Sequence, residues 1–316
     1  MKWEVGVQTV PWYREKDPEG SLRYIKECGF DGVDYNMNQL FTDTFNQKEL
    51  TSFFDRSMEE LEAYYASLKQ ASETTGVAIS LIHSLFPVWT PDEQEPGASA
   101  LNQYRLELTR KMISLCGYLG CRYLVVHPNR YPELTQQEQR QINLQMYRQL
   151  IDVAKASDVV VCLENLGRTL GSRRVDGVCS EADEVCFYVD TLNAEAGQEY
   201  FGLCFDTGHA MFLGKNLYQF ITAIGSRLKV LHLHENNGIS DGHMLPYTQL
   251  DLAGQRGMQD WDEFLRGLHE VGYEGPIGFE TYHATVNAPE ALWTSILRLT
   301  ADIGHYWRSR LENWEK

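Results

Sequence analysis

A chain of 316 residues, 43% of them hydrophobic, is long enough to bury one large core, and α/β barrels commonly reach this size as a single domain. Its 28 Lys and Arg against 44 Asp and Glu leave a formal net charge of -16, a field that repels phosphate backbones and acidic surfaces, so neither nucleic acid nor a membrane is an expected partner. The seven cysteines (Cys28, Cys116, Cys121, Cys162, Cys179, Cys186 and Cys204) are odd in number and contain no Cys-x-x-Cys pair, which suits reduced thiols in a core.

The opening residues already read as a strand, without a basic leader or a long apolar run, and no apolar stretch of ~18 residues follows, so a cytoplasmic location is expected. Short β-rich runs then alternate with long helical patterns. The runs are Trp3 to Thr9, Phe30 to Tyr35, Val77 to His83, Tyr123 to His127, Val159 to Glu164, Phe201 to Asp206, Lys229 to His234 and Ile277 to Thr281. Between them helical spacing covers Leu22 to Cys28, Met58 to Glu73, Leu101 to Leu119, Gln136 to Ala156, Ala182 to Leu192, Leu217 to Ile224, Trp261 to Val271 and Ala288 to Trp307. Apolar strands joined by helices must be parallel and covered on both faces, so residues 1-316 are expected to close into one (β/α)₈ TIM barrel. Gly117, Gly120, Gly272 and Gly275 are expected to punctuate helix ends and turns.

Long insertions follow three strands, at about 36-56, 84-98 and 236-258, and in a barrel such loops gather at the C-terminal rim where sites form. The first carries Met37, Leu40, Phe41, Phe45 and Phe53, and the second Phe86 and Trp89; either lid or ordinary surface loop fits. Polar residues mark the strand exits: His83, His127, Glu164, Asp206 with His209, His232 and Glu280. A lone His or Glu at such a place is more often a satisfied core residue. Several buried carboxylates at one barrel mouth, however, call for a cation to neutralise them, and Asp, Glu and neutral imidazole suit zinc, manganese or iron.

The motifs Val-His-Pro, Leu-Glu-Asn, Phe-Asp-Thr-Gly-His-Ala, His-Leu-His-Glu-Asn-Asn-Gly followed by Asp-Gly-His, and Phe-Glu-Thr together resemble the xylose isomerase-like TIM barrels. That resemblance implies sugar isomerase or epimerase chemistry with one divalent ion held at Glu164, Asp206, His232 and Glu280, and His209 near the substrate. The endonuclease IV branch adds ligands at positions matching His83, His127, His209, Asp241 and His243, all filled here, so a multinuclear phosphoesterase is an alternative. Ketohexose 3-epimerases place an arginine after the strand-seven histidine, whereas this loop reads Glu235 to His243 without one. The expected ion is Mn²⁺ or Zn²⁺, with Mg²⁺, Co²⁺ or Fe²⁺ compatible, and the expected partner a small carbohydrate; homo-oligomerisation is left open.

The favoured chemistry is proton transfer next to a carbonyl through an enediolate, with Glu164 and Glu280 as the bases. Trp12, Trp89, Tyr35 and Phe86 are candidates for an apolar sugar wall, with barrel packing as the plain alternative. Arg130, Arg168, Arg173 and Arg174 are candidates for an anion clamp, with surface charge as theirs. A lyase or hydratase on keto-glycosides would share the proton removal, and a non-catalytic sugar-binding barrel would need no pair of bases.

Overall fold

The computed structural model describes residues 2–41, 52–89, 99–131, 133–251, 254 and 256–314. Phe45 and the acidic stretch of the second insertion lie outside them. Its strands are β1 Val5–Gln8, β2 Gly32–Asn36, β3 Ala78–His83, β4 Tyr123–Val125, β5 Val160–Glu164, β6 Gly167–Leu170, β7 Arg173–Asp176, β8 Phe201–Asp206, β9 Leu228–His232 and β10 Ile277–Phe279. All but β6 and β7 pair in parallel, in the order β10, β1, β2, β3, β4, β5, β8, β9. The ring closes just beyond β9, where Leu233 N donates to Gly278 O at 2.8 Å and Glu280 N donates to Leu233 O at 3.0 Å. The result is the expected (β/α)₈ barrel.

Helices cover the outside with their apolar faces inward, and several have capped starts. A capping box, Ser57 with Glu60, begins Met58–Thr75, and a second, Thr135 with Glu138, begins Gln136–Arg148. The single helix expected over Gln136 to Ala156 is two, Gln136–Arg148 and Ile151–Ser157. At the break Gln149 N and Leu150 N reach back three residues, to Met146 O and Tyr147 O, and the Arg110 guanidinium takes the freed Gln149 carbonyl. Gly120 and Gly272 adopt left-handed φ of 73° and 66°, as helix-end glycines do, whereas Gly117 and Gly275 allow close packing instead. No helix among the described residues is long and apolar enough to cross a membrane, and all seven thiols are free.

The barrel interior has two layers. Leu81, Val125, Val160, Cys162, Cys204 and Val230 form a separate apolar cluster at its floor, while their strand neighbours Val161, Leu163, Leu203, Phe205 and Leu231 face the helices. Two irregularities set which residues point inward. Ser80 in β3 and Lys229 in β9 have no partner in the register, so Ile79 and Leu228 pack outward but Leu81 and Val230 pack inward, although each pair is two residues apart. A glycine lies across from each bulge: a Cβ on Gly32 would sit 2.1 Å from Ser80 Oγ, and one on Gly202 would sit 2.2 Å from Lys229 Cγ. The bulges thereby turn His83 and His232, one step further along, into the barrel.

Candidate metal centre at the barrel mouth

One turn above the apolar floor, the same inward faces carry His83, His127, Glu164, Asp206, His232 and Glu280, lining or underlying a cavity of about 390 Å³. Glu164 is the hub. Its Oε2 lies 2.9 Å from His127 Nε2, 3.5 Å from His232 Nδ1 and 3.7 Å from His83 Nε2, and its Oε1 lies 3.3 Å from His209 Nδ1. Glu280 Oε1 accepts a 2.7 Å hydrogen bond from Gln8 Nε2 and stands 3.7 Å from His232 Nδ1.

Asp206 is fixed by its motif neighbours. Asn165 Nδ2 donates to the Asp206 carbonyl at 2.9 Å while Asp206 N donates to Asn165 Oδ1 at 2.7 Å, and Asp206 Oδ1 caps the short helix Thr207–Phe212 through His209 N at 2.6 Å. The glycine of Asp-Thr-Gly-His is required because the His234 ring crosses it: a Cβ on Gly208 would lie 1.8 Å from His234 Cε1. His234 Nε2 sits 3.1 Å from Asp206 Oδ1.

Three imidazoles are oriented by carbonyls, which can only accept. His83 Nδ1 donates to Ser84 O at 2.8 Å, His209 Nδ1 to Asn165 O at 2.9 Å and His243 Nδ1 to Glu280 O at 2.8 Å, so each leaves Nε2 free as a donor to a metal. Those freed nitrogens face polar partners: His83 Nε2 is 3.1 Å from His127 Nε2, His209 Nε2 is 3.4 Å from Asp241 Oδ2, and His243 Nε2 is 3.5 Å from Asp241 Oδ1. Candidate ligand sets follow, among them His83, His127 and Glu164; Glu164, Asp206 and His209; His83, His232 and Glu280; and His234, Asp241 and His243.

The residues fit a divalent ion on two counts. Glu164 Oε2, both ring nitrogens of His232, His234 Nδ1 and Asp241 Oδ1 are buried with polar neighbours close by but without a well-formed hydrogen bond, an arrangement that costs free energy unless something else uses those lone pairs. Without a metal, the counter-charge that the described residues bring to these carboxylates is protonated imidazole. Burial alone would depress His232 and His209, but Cys204, Glu280 and Glu164 push His232 well up and Asp206 does the same to His209. Burial would raise Glu164, yet His127 and His232 hold it well below the usual carboxylate range. His243 is pushed up to about 9, burial being outweighed by the Asp241 carboxylate facing its Nε2.

Comparison with known proteins extends this picture. The xylose isomerase-like TIM barrel family model matches residues 22–303. The chain belongs to this family. Within it, a ketose 3-epimerase of Arthrobacter globiformis is 20% identical over 95% of this chain and 93% of its own length. A probable endonuclease 4 of Mycoplasmopsis agalactiae is 22% identical over 61% of this chain and 68% of its own. Among solved structures, the apo 3-keto-D-glucoside 4-epimerase of E. coli superposes with a TM-score of 0.67 at 17% identity, covering 95% of this chain and 100% of that one, and so shares the fold.

In this xylose isomerase-like barrel, Glu164, Asp206, His232 and Glu280 all reach the mouth, Glu164 joining the Asp206 and His209 side to the His232 and Glu280 side. Asp241 and His243 reach it too. Among the residues there that the sequence did not single out are Gln8, His234, and Asp34, whose Oδ2 lies 3.3 Å from His232 Nε2. His234 was legible, since it repeats His232 at a strand's period of two.

Of the aromatic candidates only Phe86 lines the cavity, stacked on His127 with centroids 4.5 Å apart. Trp12 packs edge-on against Trp293 at 5.2 Å, Trp89 is buried with its backbone N–H on Asn129 Oδ1, and Tyr35 is buried with its hydroxyl on Glu15, so all three are held in packing away from that cavity. Tyr282 takes part in the wall in their place, and from the first insertion Asn36, Asn38 and Gln39 reach it, while Phe41 and Phe53 pack on Phe54. Arg130, Arg168 and Arg174 line a different cavity, formed by the β6–β7 hairpin, and Arg173 is exposed on β7. The sequence reading missed that hairpin because its residues are polar and largely exposed, without the alternation that marks a half-buried strand.

Proposed function

We propose that this chain is a divalent-metal-dependent sugar isomerase or epimerase that moves a proton at the carbon next to a carbonyl, through an enediolate, on a keto-sugar, polyol-derived or sugar-phosphate substrate. The observation that carries the reading is the pair Glu164 and Glu280. They come from β5 and just after β10, separated in the ring by β8 and β9, and converge on His232 Nδ1 at 3.5 and 3.7 Å.

Glu164, Asp206, His232 and Glu280 would hold the ion, Mn²⁺ or Zn²⁺ by their donor chemistry; when bound it supplies positive charge against the oxygen on which charge develops. One glutamate removes the carbon-bound proton and the other returns it on the opposite face. Gln8 fixes Glu280 Oε1 and so presents the other carboxylate oxygen. His209, its Nδ1 held by Asn165 O, offers Nε2 to a substrate hydroxyl, and Phe86 with Tyr282 gives the sugar ring an apolar face. The epimerases among the relatives support this class, and the 3-keto-glucoside enzyme makes keto-glycosides natural first substrates; on these a lyase would show itself by loss of a substituent.

The test is incorporation of solvent deuterium into a panel of keto-sugars and 3-keto-glycosides by the metal-loaded protein. Exchange at the carbon beside the carbonyl is expected; its absence across the panel rejects the reading. A second reading, phosphoester hydrolysis by clustered ions, draws support from the His83, His127 and Glu164 set and the endonuclease-like relatives. Saturation at one metal equivalent per chain in excess zinc rejects it.

A further inference from the structure

The β6–β7 hairpin walls a second cavity of about 710 Å³ beside the barrel mouth, lined by Arg130, Arg168 and Arg174. Each guanidinium is tethered through a neutral group: Arg130 Nη1 donates to Gly167 O at 2.7 Å, Arg168 Nε to Asp176 O at 3.0 Å, and Arg174 Nη1 to Thr169 Oγ1 at 2.7 Å. Among the described residues none of the three is paired with a carboxylate. Most of the acid charge lining the same cavity is already paired. Lys215 takes Asp176 at 2.8 Å and Glu181 at 2.5 Å, and Arg140 takes Glu184 at 3.2 Å.

The three arginines therefore leave this cavity with two net positive charges, since Lys215 serves two carboxylates, in a chain of net charge -16. Burial, and then the like charge of Arg174, push the Arg130 guanidinium down, so the cations feel one another. An oxyanion would relieve that repulsion and accept the planar, paired N–H groups that the tethers leave free. The cavity also adjoins the metal centre. The Phe212 ring lies between them, its centroid 5.4 Å from that of His209 and 5.1 Å from Arg174 Cζ, and it fits there because residue 167 is glycine, where a Cβ would come within 2.3 Å of Phe212 Cε2.

Resting on the sugar-enzyme reading, we propose that this cavity is a subsite for a carboxylate or phosphate carried by the substrate away from its carbonyl, so that the preferred substrate is an acidic sugar. The long-range field of the protein repels such a substrate, and the local arginines supply the recognition that overcomes it.

Equilibrium titration of the full, metal-loaded chain with D-glucuronate, D-glucose 6-phosphate and D-glucose tests this. At least one of the two acidic sugars is expected to bind more tightly than glucose, with affinity that falls as salt rises, and Arg168→Gln/Arg174→Gln is expected to weaken it about tenfold or more while leaving glucose unchanged. Which acid loses affinity identifies carboxylate or phosphate as the anion. Arg168→Lys/Arg174→Lys keeps the charge but loses the paired donors and is expected to bind more weakly than wild type yet more tightly than the glutamine protein. Equal binding of both acids by the wild-type and glutamine proteins, no advantage of either acid over glucose, or a lysine protein as weak as the glutamine one overturns the subsite. Because binding needs no turnover, a chain that binds acids through these arginines but exchanges no carbon-bound proton keeps the subsite and loses the sugar-enzyme reading, and the converse result does the reverse.

Discussion

The floor and the mouth of the barrel interior are built by the same strands, two residues apart, and differ completely in how they are held. At the floor, Leu81, Val125, Val160, Cys162, Cys204 and Val230 form one apolar cluster, held by dispersion and the removal of apolar surface from water. At the mouth, His83, His127, Glu164, Asp206 and His232 are equally buried or nearly so, yet several of their polar atoms have no hydrogen-bond partner. The floor is complete by itself; the mouth is complete only with a cation or with protons in its place. A buried layer that its own fold leaves unsatisfied is where chemistry is to be sought.

The sharpest break in that comparison comes from the mouth. Glu280→Gln and Glu164→Gln keep shape and one ligating oxygen but cannot accept a proton, so each is expected to lose ~10² to 10⁴-fold of turnover at saturating metal. Wild-type rates of substrate proton exchange in either variant, checked to hold metal, would remove that glutamate from the role of base. At the floor the expected effect is on stability. Leu81→Ala leaves a cavity among closely packed neighbours and should lower the unfolding free energy in urea by about 2–5 kcal/mol with metal affinity unchanged. A loss of metal affinity at unchanged stability would show that the two layers are not independent.

The smallest effect tests the seam between them. Asp34, on β2, is buried with Oδ2 3.3 Å from His232 Nε2, which leaves Nδ1 directed at Glu164 and Glu280. Asp34→Asn is expected to weaken metal binding ~10 to 100-fold, read by competition with a chelating dye, because the imidazole loses the carboxylate that orients it and raises its basicity. Unchanged affinity would make Asp34 a spectator.

Much of this was legible in the chain. The eight barrel strands could be read because a strand buried on both faces is an unbroken apolar run, and Leu217–Ile224 matches its expected helix end to end because it carries a strong apolar stripe between an Asn216 cap and Gly225. The ligand candidates were legible as polar residues at apolar strand exits. The aromatic lining of the mouth cavity was not: Trp12, Trp89 and Tyr35 are the kind of residue a sugar stacks on, but the same area makes them good packing, and nothing in one sequence tells which use wins.

The sequence by itself determined the alternation of strand and helix, hence the parallel barrel, and pointed to most of the polar side chains that gather at its mouth, since both follow from local composition and period. Direction was decided only by the tertiary structure. By simple alternation Ile79, Leu81 and His83 share a face, as do Leu228, Val230 and His232; the unpaired Ser80 and Lys229, each lying over a glycine of the neighbouring strand, send the first member of each trio outward and the other two inward. A bulge is a property of two paired strands rather than of one, so the step that turns His83 and His232 inward exists only once β2 has paired with β3 and β8 with β9.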